Sequence, residues 1–436
     1  MVSTTVKNRS HRMSLSTTVK QLGLIPKSVT KYVQNTIYSP LLLTFFIISL
    51  SACQLQNHQL RPTGDLGVII GRATGSIQIV NTTQQEPLAK VDKLGDLSHA
   101  SVVFSRDQRY AYIFARDGGL TKIDLLQDRI DHRIIQSGNS IGGAISQNGK
   151  WIAVSNYTPG GIKIFSADTL ELVADITATP LSTNTEKKVI YSKVVGLVDA
   201  PGNRFVFSLF DTNEIWVADY INHDNNEEWK VKKYPKIGKQ PYDALITPNG
   251  RYYIAGLFGE SGFALLDLWH LEKGVKQILP NYNKNKRTLP VYKMPHLEGW
   301  AMAGHYAFVP AVGQHNILVI DTERWQQIAT IPVHGQPVFA VARPDGRQVW
   351  VNFAYPNNNT IQVINTETYQ VVHQFMPGQA ALHMSFTPKG EQLWLSVRDS
   401  NEVQVYDPTT FKKLAAFSVD SPSGIFFTSR AHQIGL

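Results

Sequence analysis

Cysteine is almost absent from this chain: there is one, Cys53, in 436 residues. A lone thiol excludes an internal disulfide, a C-x-x-C-H heme attachment and a zinc site built on paired cysteines. Charge is also scarce. Asp, Glu, Lys and Arg make up 17% of the residues against 43% hydrophobic ones, so a large core can be buried and a disordered polyelectrolyte is excluded. No G-x-G-x-x-G and no Gly-Lys-Ser/Thr phosphate loop occurs, which excludes the common nucleotide cradles. The net charge of +8 suggests nucleic acid only until it is located. Lys7, Arg9, Arg12, Lys20, Lys27 and Lys31 precede residue 53 with no acidic residue among them, and without these six the balance is +2. The basicity belongs to the leader, and no nucleic-acid partner is expected.

Long hydrophobic runs are missing too. The longest, LLLTFFIISL at 41–50, falls well short of the roughly 20 residues that span a bilayer as a helix. A basic stretch, an apolar run and small residues, in that order, make 1–52 an export signal. Leu50-Ser51-Ala52-Cys53 resembles a bacterial lipobox, in which the thiol is acylated and becomes the mature N-terminus. An ordinary signal peptide with a chance cysteine is the alternative. Met13 competes with Met1 as the true start. The expectation is a lipid-anchored protein on the periplasmic face of a bacterial membrane, in the outer membrane because no aspartate follows Cys53. Residues 53–63 would be the lipidated N-terminus and a short linker, and 64–436 the folded domain.

That domain repeats itself. The unit is an apolar strand, a polar turn with Asn or Asp and Gly, a second apolar strand, a variable loop, and a third strand ending near Asp. SVVFSRDQRYAYIFARDGGLTKIDL (101–125), ALITPNGRYYIAGLFGESGFALLDL (244–268) and HMSFTPKGEQLWLSVRDSNEVQVYD (383–407) are copies. In the turns S-Q-N-G-K, T-P-N-G-R and R-P-D-G-R, Pro presets φ, Asn or Asp tolerates the left-handed region and Gly supplies positive φ. A period of about 40–45 residues is that of four-stranded propeller blades. The pattern predicts an all-β, eight-bladed β-propeller of four-stranded antiparallel blades. The first unit (67–91) lacks a leading strand, and SPSGIFFTS (421–429) supplies one, closing the ring by pairing the two ends of the chain. Seven blades with one irregular pair is the competing count, because the units at 191–235 and 298–333 are less regular.

Propellers bind ligands in or above the central channel, so polar residues opening the innermost strands are the candidates. His99 precedes such a strand in GDLSHASVVF; a neutral imidazole there suits an iron axially, or is simply a hydrogen-bonded structural residue. Arg116, in RDGG, offers a planar fork for a carboxylate, or a turn-stabilising ion pair with its neighbour. Lys193, Asp243, His296 and His383 also lie near the openings of innermost strands. Each taken singly is more often structural, but basic and imidazole groups converging on one cavity fit a polycarboxylate. His315, His334 and His373 fall in turns or outer strands, and Trp151, Trp229 and Trp350 are expected to pack between blades.

GDLGVIIGRATGSIQIV, GDLSHASVVFSRDQRYAYIFARDGGLTKIDL, GNSIGGAISQNGKWIAVSNYTPGGIKIF and DTLELVADI together resemble the NirF family of heme d1 biosynthesis proteins, over nearly all of 63–436. More distantly the chain is similar to the heme d1 propeller of cytochrome cd-type nitrite reductase. That resemblance places His99 at the reductase's proximal iron ligand, Arg109-Tyr110 at its Arg-Tyr pair, and Arg116 at a contact to a propionate or acetate. Lys193 replaces an arginine near the macrocycle. Tyr242, before Asp243, stands at the first distal histidine, and Ala311-Val312-Gly313 near the second. The pair that protonates nitrite is therefore missing and no cytochrome c domain precedes the propeller, which argues against nitrite reduction.

The resemblance implies heme d1, or its iron-containing precursor, as ligand or substrate. One reading is an enzyme that dehydrogenates a siroheme-derived macrocycle or its propionate side chain, with Tyr242, Asp243, His296 and His383 as acid–base groups. The other is a carrier that hands the tetrapyrrole to another maturation protein or to the reductase. A scaffold propeller for a protein ligand is a third, remoter reading. Composition does not separate the first two, since both need the same pocket.

Overall fold

The computed structural model describes residues 61–433 apart from 182–188, 224–225, 283–296 and 312. It is all-β, with eight four-stranded antiparallel sheets, seven of them with strands in sequence order, and a two-stranded hairpin at Pro180–Leu181 and Ile190–Tyr191. The innermost strands of blades 2 to 8 are Ser101–Phe104, Asn139–Ile145, Val194–Ala200, Pro241–Ile246, Ala301–Ala303, Pro337–Ala342 and Ala381–Phe386. Neighbouring innermost strands touch one another around the ring, except that the strand of blade 5 meets the 3₁₀ turn at Leu297–Gly299 ahead of the blade 6 strand.

The tail closes that ring. Pro422–Phe427 is the innermost strand of blade 1, antiparallel to Leu66–Gly71, with Gly67 opposite Phe427 and Ile69 opposite Ile425. The Thr428 hydroxyl donates to the carbonyls of Thr63 (2.6 Å) and Leu66 (3.0 Å). No sheet edge is left open at the junction. The two irregular repeats are full blades. Blade 4 has a long outer hairpin, Glu214–His223 with Asn226–Tyr234, and blade 6 has an innermost strand of only three residues after a 3₁₀ turn at Leu297–Gly299.

Alternation along each strand sends apolar side chains to both faces of a sheet, so each seam between blades is a small core. Eight buried clusters occupy the eight seams. Ile69, Val80 and Phe427 of blade 1, for example, meet Trp394 and Val403 of blade 8. Trp151 and Trp229 lie in the seam of blades 3 and 4, and Trp350 in that of blades 7 and 8, as expected. A large-to-small change at the fully buried Trp350 should cost about 3–5 kcal/mol.

The turns differ from the expectation in one respect. Gly149 and Gly250 do take positive φ (73° and 70°), and their N–H groups close onto Ser146 and Thr247 (2.8 and 2.7 Å). Asn148 and Asn249 are not left-handed. Their side-chain oxygens instead accept the N–H groups of Lys150 and Arg251, both at 3.1 Å. Asn acts in these turns as an acceptor two residues upstream rather than as a tolerant backbone.

Candidate functional site

Each innermost strand starts at the same end of the channel at which its second strand finishes, because the two are antiparallel. That end gathers the candidates. The innermost strands of blades 4, 5, 7 and 8 lose register near their starts, after Val195, Pro241, Pro337 and Ala381. A bulge re-aims side chains. The irregular residues are Gly196–Leu197, Tyr242–Asp243, Val338–Phe339 and Leu382–His383, all half-buried beside buried neighbours.

His99 lies exposed in the connection from blade 1 to blade 2. Asp96 ties it to Arg116. The Asp96 carboxyl is held below the usual range, first by the Ser98 backbone N–H (2.9 Å) and hydroxyl, then by the charges of Arg116 and His99. The Arg116 N–H donates to the Asp96 carbonyl at 2.7 Å. The ion pair considered within RDGG is not formed. Asp117 turns instead to Arg133 (3.4 Å) and accepts the Gly119 N–H (3.0 Å). Among the described residues Arg116 has no ion-pair partner, and its guanidinium lies over the Tyr157 ring, 5.3 Å from the centroid. Arg109 is spent on Asp124 at 2.8 Å.

Tyr157 extends the site. Its hydroxyl donates to that of Tyr242 at 3.3 Å. Tyr242 meets Phe210 edge to face, with centroids 6.0 Å apart, and Phe210 lies 6.5 Å from Phe258. The Lys193 ammonium sits 5.0 Å above Phe210. An aromatic strip thus runs across blades 3 to 5 with a cation at either end. Lys193 is less available than Arg116, for its ammonium is 2.7 Å from Asp211.

The acid–base candidates fare unequally. Asp243 accepts the N–H of Ala244 at one oxygen (3.0 Å) and that of Leu297 at the other (2.9 Å), so its carboxylate holds the 3₁₀ turn that opens blade 6. His383 stands on the far arc, its ring 5.3 Å from Phe339 and its backbone N–H donating to the Ser396 hydroxyl (2.9 Å). His296 and Cys53 lie outside the described residues. No group of three or more metal-ligating side chains exists among the described residues.

Residues 61–431 match the cytochrome D1 heme domain family. The chain is 59% identical over 397 residues to Protein NirF of Stutzerimonas stutzeri, covering 91% of this chain and 99% of that one. It is 58% identical over 398 residues to Protein NirF of Pseudomonas aeruginosa, covering 91% and 98%. The chain belongs to the cytochrome D1 heme domain family, as a NirF-type member. Dihydro-heme d1 dehydrogenase of Pseudomonas aeruginosa is 26% identical over 371 residues, 83% of this chain and 70% of that protein. A solved structure, dihydro-heme d1 dehydrogenase NirN in complex with DHE, shares the fold with a TM-score of 0.72 at 23% identity, covering 86% and 78%.

Arg116, Tyr242 and Lys193 of this strip are candidates that the sequence offers; Tyr157, Phe210 and Phe258 are not among them. A signal existed: each lies at the end of the second strand of its blade or one residue beyond it, in SNYTPG, SLFDT and GLFGES.

Proposed function

We propose that the protein binds a late, iron-containing tetrapyrrole of the heme d1 series at this mouth and serves heme d1 biosynthesis, and so the maturation of nitrite reductase. The observation that carries the proposal is the strip from Arg116 to Lys193. A flat macrocycle needs apolar faces to lie against and cations where its side-chain carboxylates end, and both are present at the right chemistry. The exposed His99, beside Arg116 through Asp96, is the imidazole that would meet the iron. When bound, the macrocycle supplies the redox-active iron; the chain supplies position, charge and a water-poor wall.

The geometry favours holding and handing on over acid–base catalysis. Asp243 has both oxygens engaged by backbone N–H groups, and burial followed by the Tyr242 hydrogen bond pushes the Tyr157 phenol up, away from use as a base. Dehydrogenation is the second reading, favoured by the relationship to dihydro-heme d1 dehydrogenase. It would turn a C–C single bond into a double bond, with two protons and two electrons leaving, the electrons to an external acceptor. Anaerobic incubation of purified protein with the dihydro precursor, with and without an added acceptor, tests the choice. A carrier returns the ligand at unchanged mass in both arms. Loss of two mass units only with acceptor and protein establishes the enzyme.

The leader fits this role. A lipid anchor at Cys53 would hold the propeller at the periplasmic membrane face, where other maturation proteins and the reductase would be its partners.

A further inference from the structure

A phenol has one proton to donate. Tyr157 uses its own on the Tyr242 oxygen, so the Tyr242 proton must be directed elsewhere. Tyr242 lies on the irregular start of the blade 5 innermost strand, half-buried, with Phe210 against its ring. The same Tyr157 offers its ring face to Arg116, the cation without an ion-pair partner among the described residues. One side chain of blade 3 therefore orients a group of blade 2 and a group of blade 5. Burial and the hydrogen bond keep Tyr157 protonated, the form that this arrangement requires.

We infer that Tyr157 is a positioning residue for carboxylate recognition. Its ring steadies the Arg116 fork, and its hydroxyl fixes Tyr242 so that the Tyr242 O–H donates to an oxygen of the bound tetrapyrrole. This rests on the tetrapyrrole reading and adds to it a specificity for the acid over the ester form of the side chains. The cation–aromatic contact also explains why Arg116 stays in place with no ion pair. The ring's negative face attracts the half-buried guanidinium, which biases its rotamers without neutralising it.

The test is anaerobic spectroscopic titration of the mature protein with heme d1 and with its methyl ester. The wild type should prefer the acid by about tenfold or more, the worth of one or two charge-assisted bonds. Tyr157→Leu should lose about tenfold for the acid and less than about twofold for the ester, so the preference collapses. Tyr157→Phe keeps the ring and should keep most of the preference. In that background Tyr242→Phe should no longer change the acid's affinity, because the orientation it depends on is already gone. Equal loss for acid and ester in Tyr157→Leu, or an undiminished Tyr242→Phe effect in the Tyr157→Phe background, overturns the inference while leaving the tetrapyrrole reading intact. A wild type that binds neither ligand removes both.

Discussion

Arg116 and Tyr157 belong to neighbouring blades, yet the guanidinium carbon of one stands 5.3 Å from the ring centroid of the other. The contact holds a cation at the channel mouth without spending its charge. Replacing Arg116 by Ala should weaken tetrapyrrole binding by about 1.5–3 kcal/mol, roughly tenfold to a hundredfold, with little change in melting temperature. Arg116→Lys should recover only part, since an ammonium has no bidentate fork. Equilibrium titration of the three proteins checks the order.

Ring closure by the tail makes a separate prediction. A chain ending at Val419 lacks Pro422–Phe427 and leaves the blade 1 strand Leu66–Gly71 with an open edge. The Phe427 and Ile425 side chains also leave the seam with blade 8. The truncated protein should aggregate on size-exclusion chromatography or melt far below the full chain. A melting curve matching the full chain would refute the closure.

The corner around Asp96 should show in the pH dependence of stability. Its folded pKa lies below the unfolded one, so its contribution is complete above the unfolded value of about 4 and is lost as pH falls through the folded value. Asp96→Asn should therefore destabilise at neutral pH, by less than about 1 kcal/mol given its exposure, and the difference should vanish in strong acid. Thermal melts of both proteins across pH 2–7 measure this, and a difference that grows toward low pH contradicts it.

Lipidation at Cys53 is testable on protein taken from a bacterial membrane fraction. Mass spectrometry should find a mature chain beginning at Cys53 with added lipid mass, and Cys53→Ala should release a folded, soluble propeller. A mature chain starting elsewhere without lipid rejects the proposal.

The blade count and the closure were legible because both follow from local chemistry. Period-2 apolar strands and turns such as T-P-N-G-R mark each blade, and a first repeat short of one strand demands a donor from the tail. What the sequence concealed depends on contacts between blades. The hold of Asp243 on the Leu297 N–H spans 54 residues, so no local pattern announces it. Tyr157 went unnoticed because its value lies in Arg116 of one blade and Tyr242 of another, and a strand-end aromatic looks like ordinary packing. The bulges that turn Tyr242 and His383 off the regular pleat are likewise a register effect, visible only once strands are paired.

The central claim is that this mouth binds a heme d1-type tetrapyrrole with His99 at the iron. Anaerobic titration of the mature protein with heme d1, followed by visible absorption in the wild type and in His99→Ala, tests it most directly. The wild type should bind saturably, one to one. His99→Ala should retain its secondary structure and still bind, because the strip and Arg116 remain, but with a shifted spectrum from loss of the axial nitrogen. No saturable binding by the wild type contradicts the claim outright, and an identical spectrum from stoichiometrically loaded His99→Ala removes His99 as the ligand.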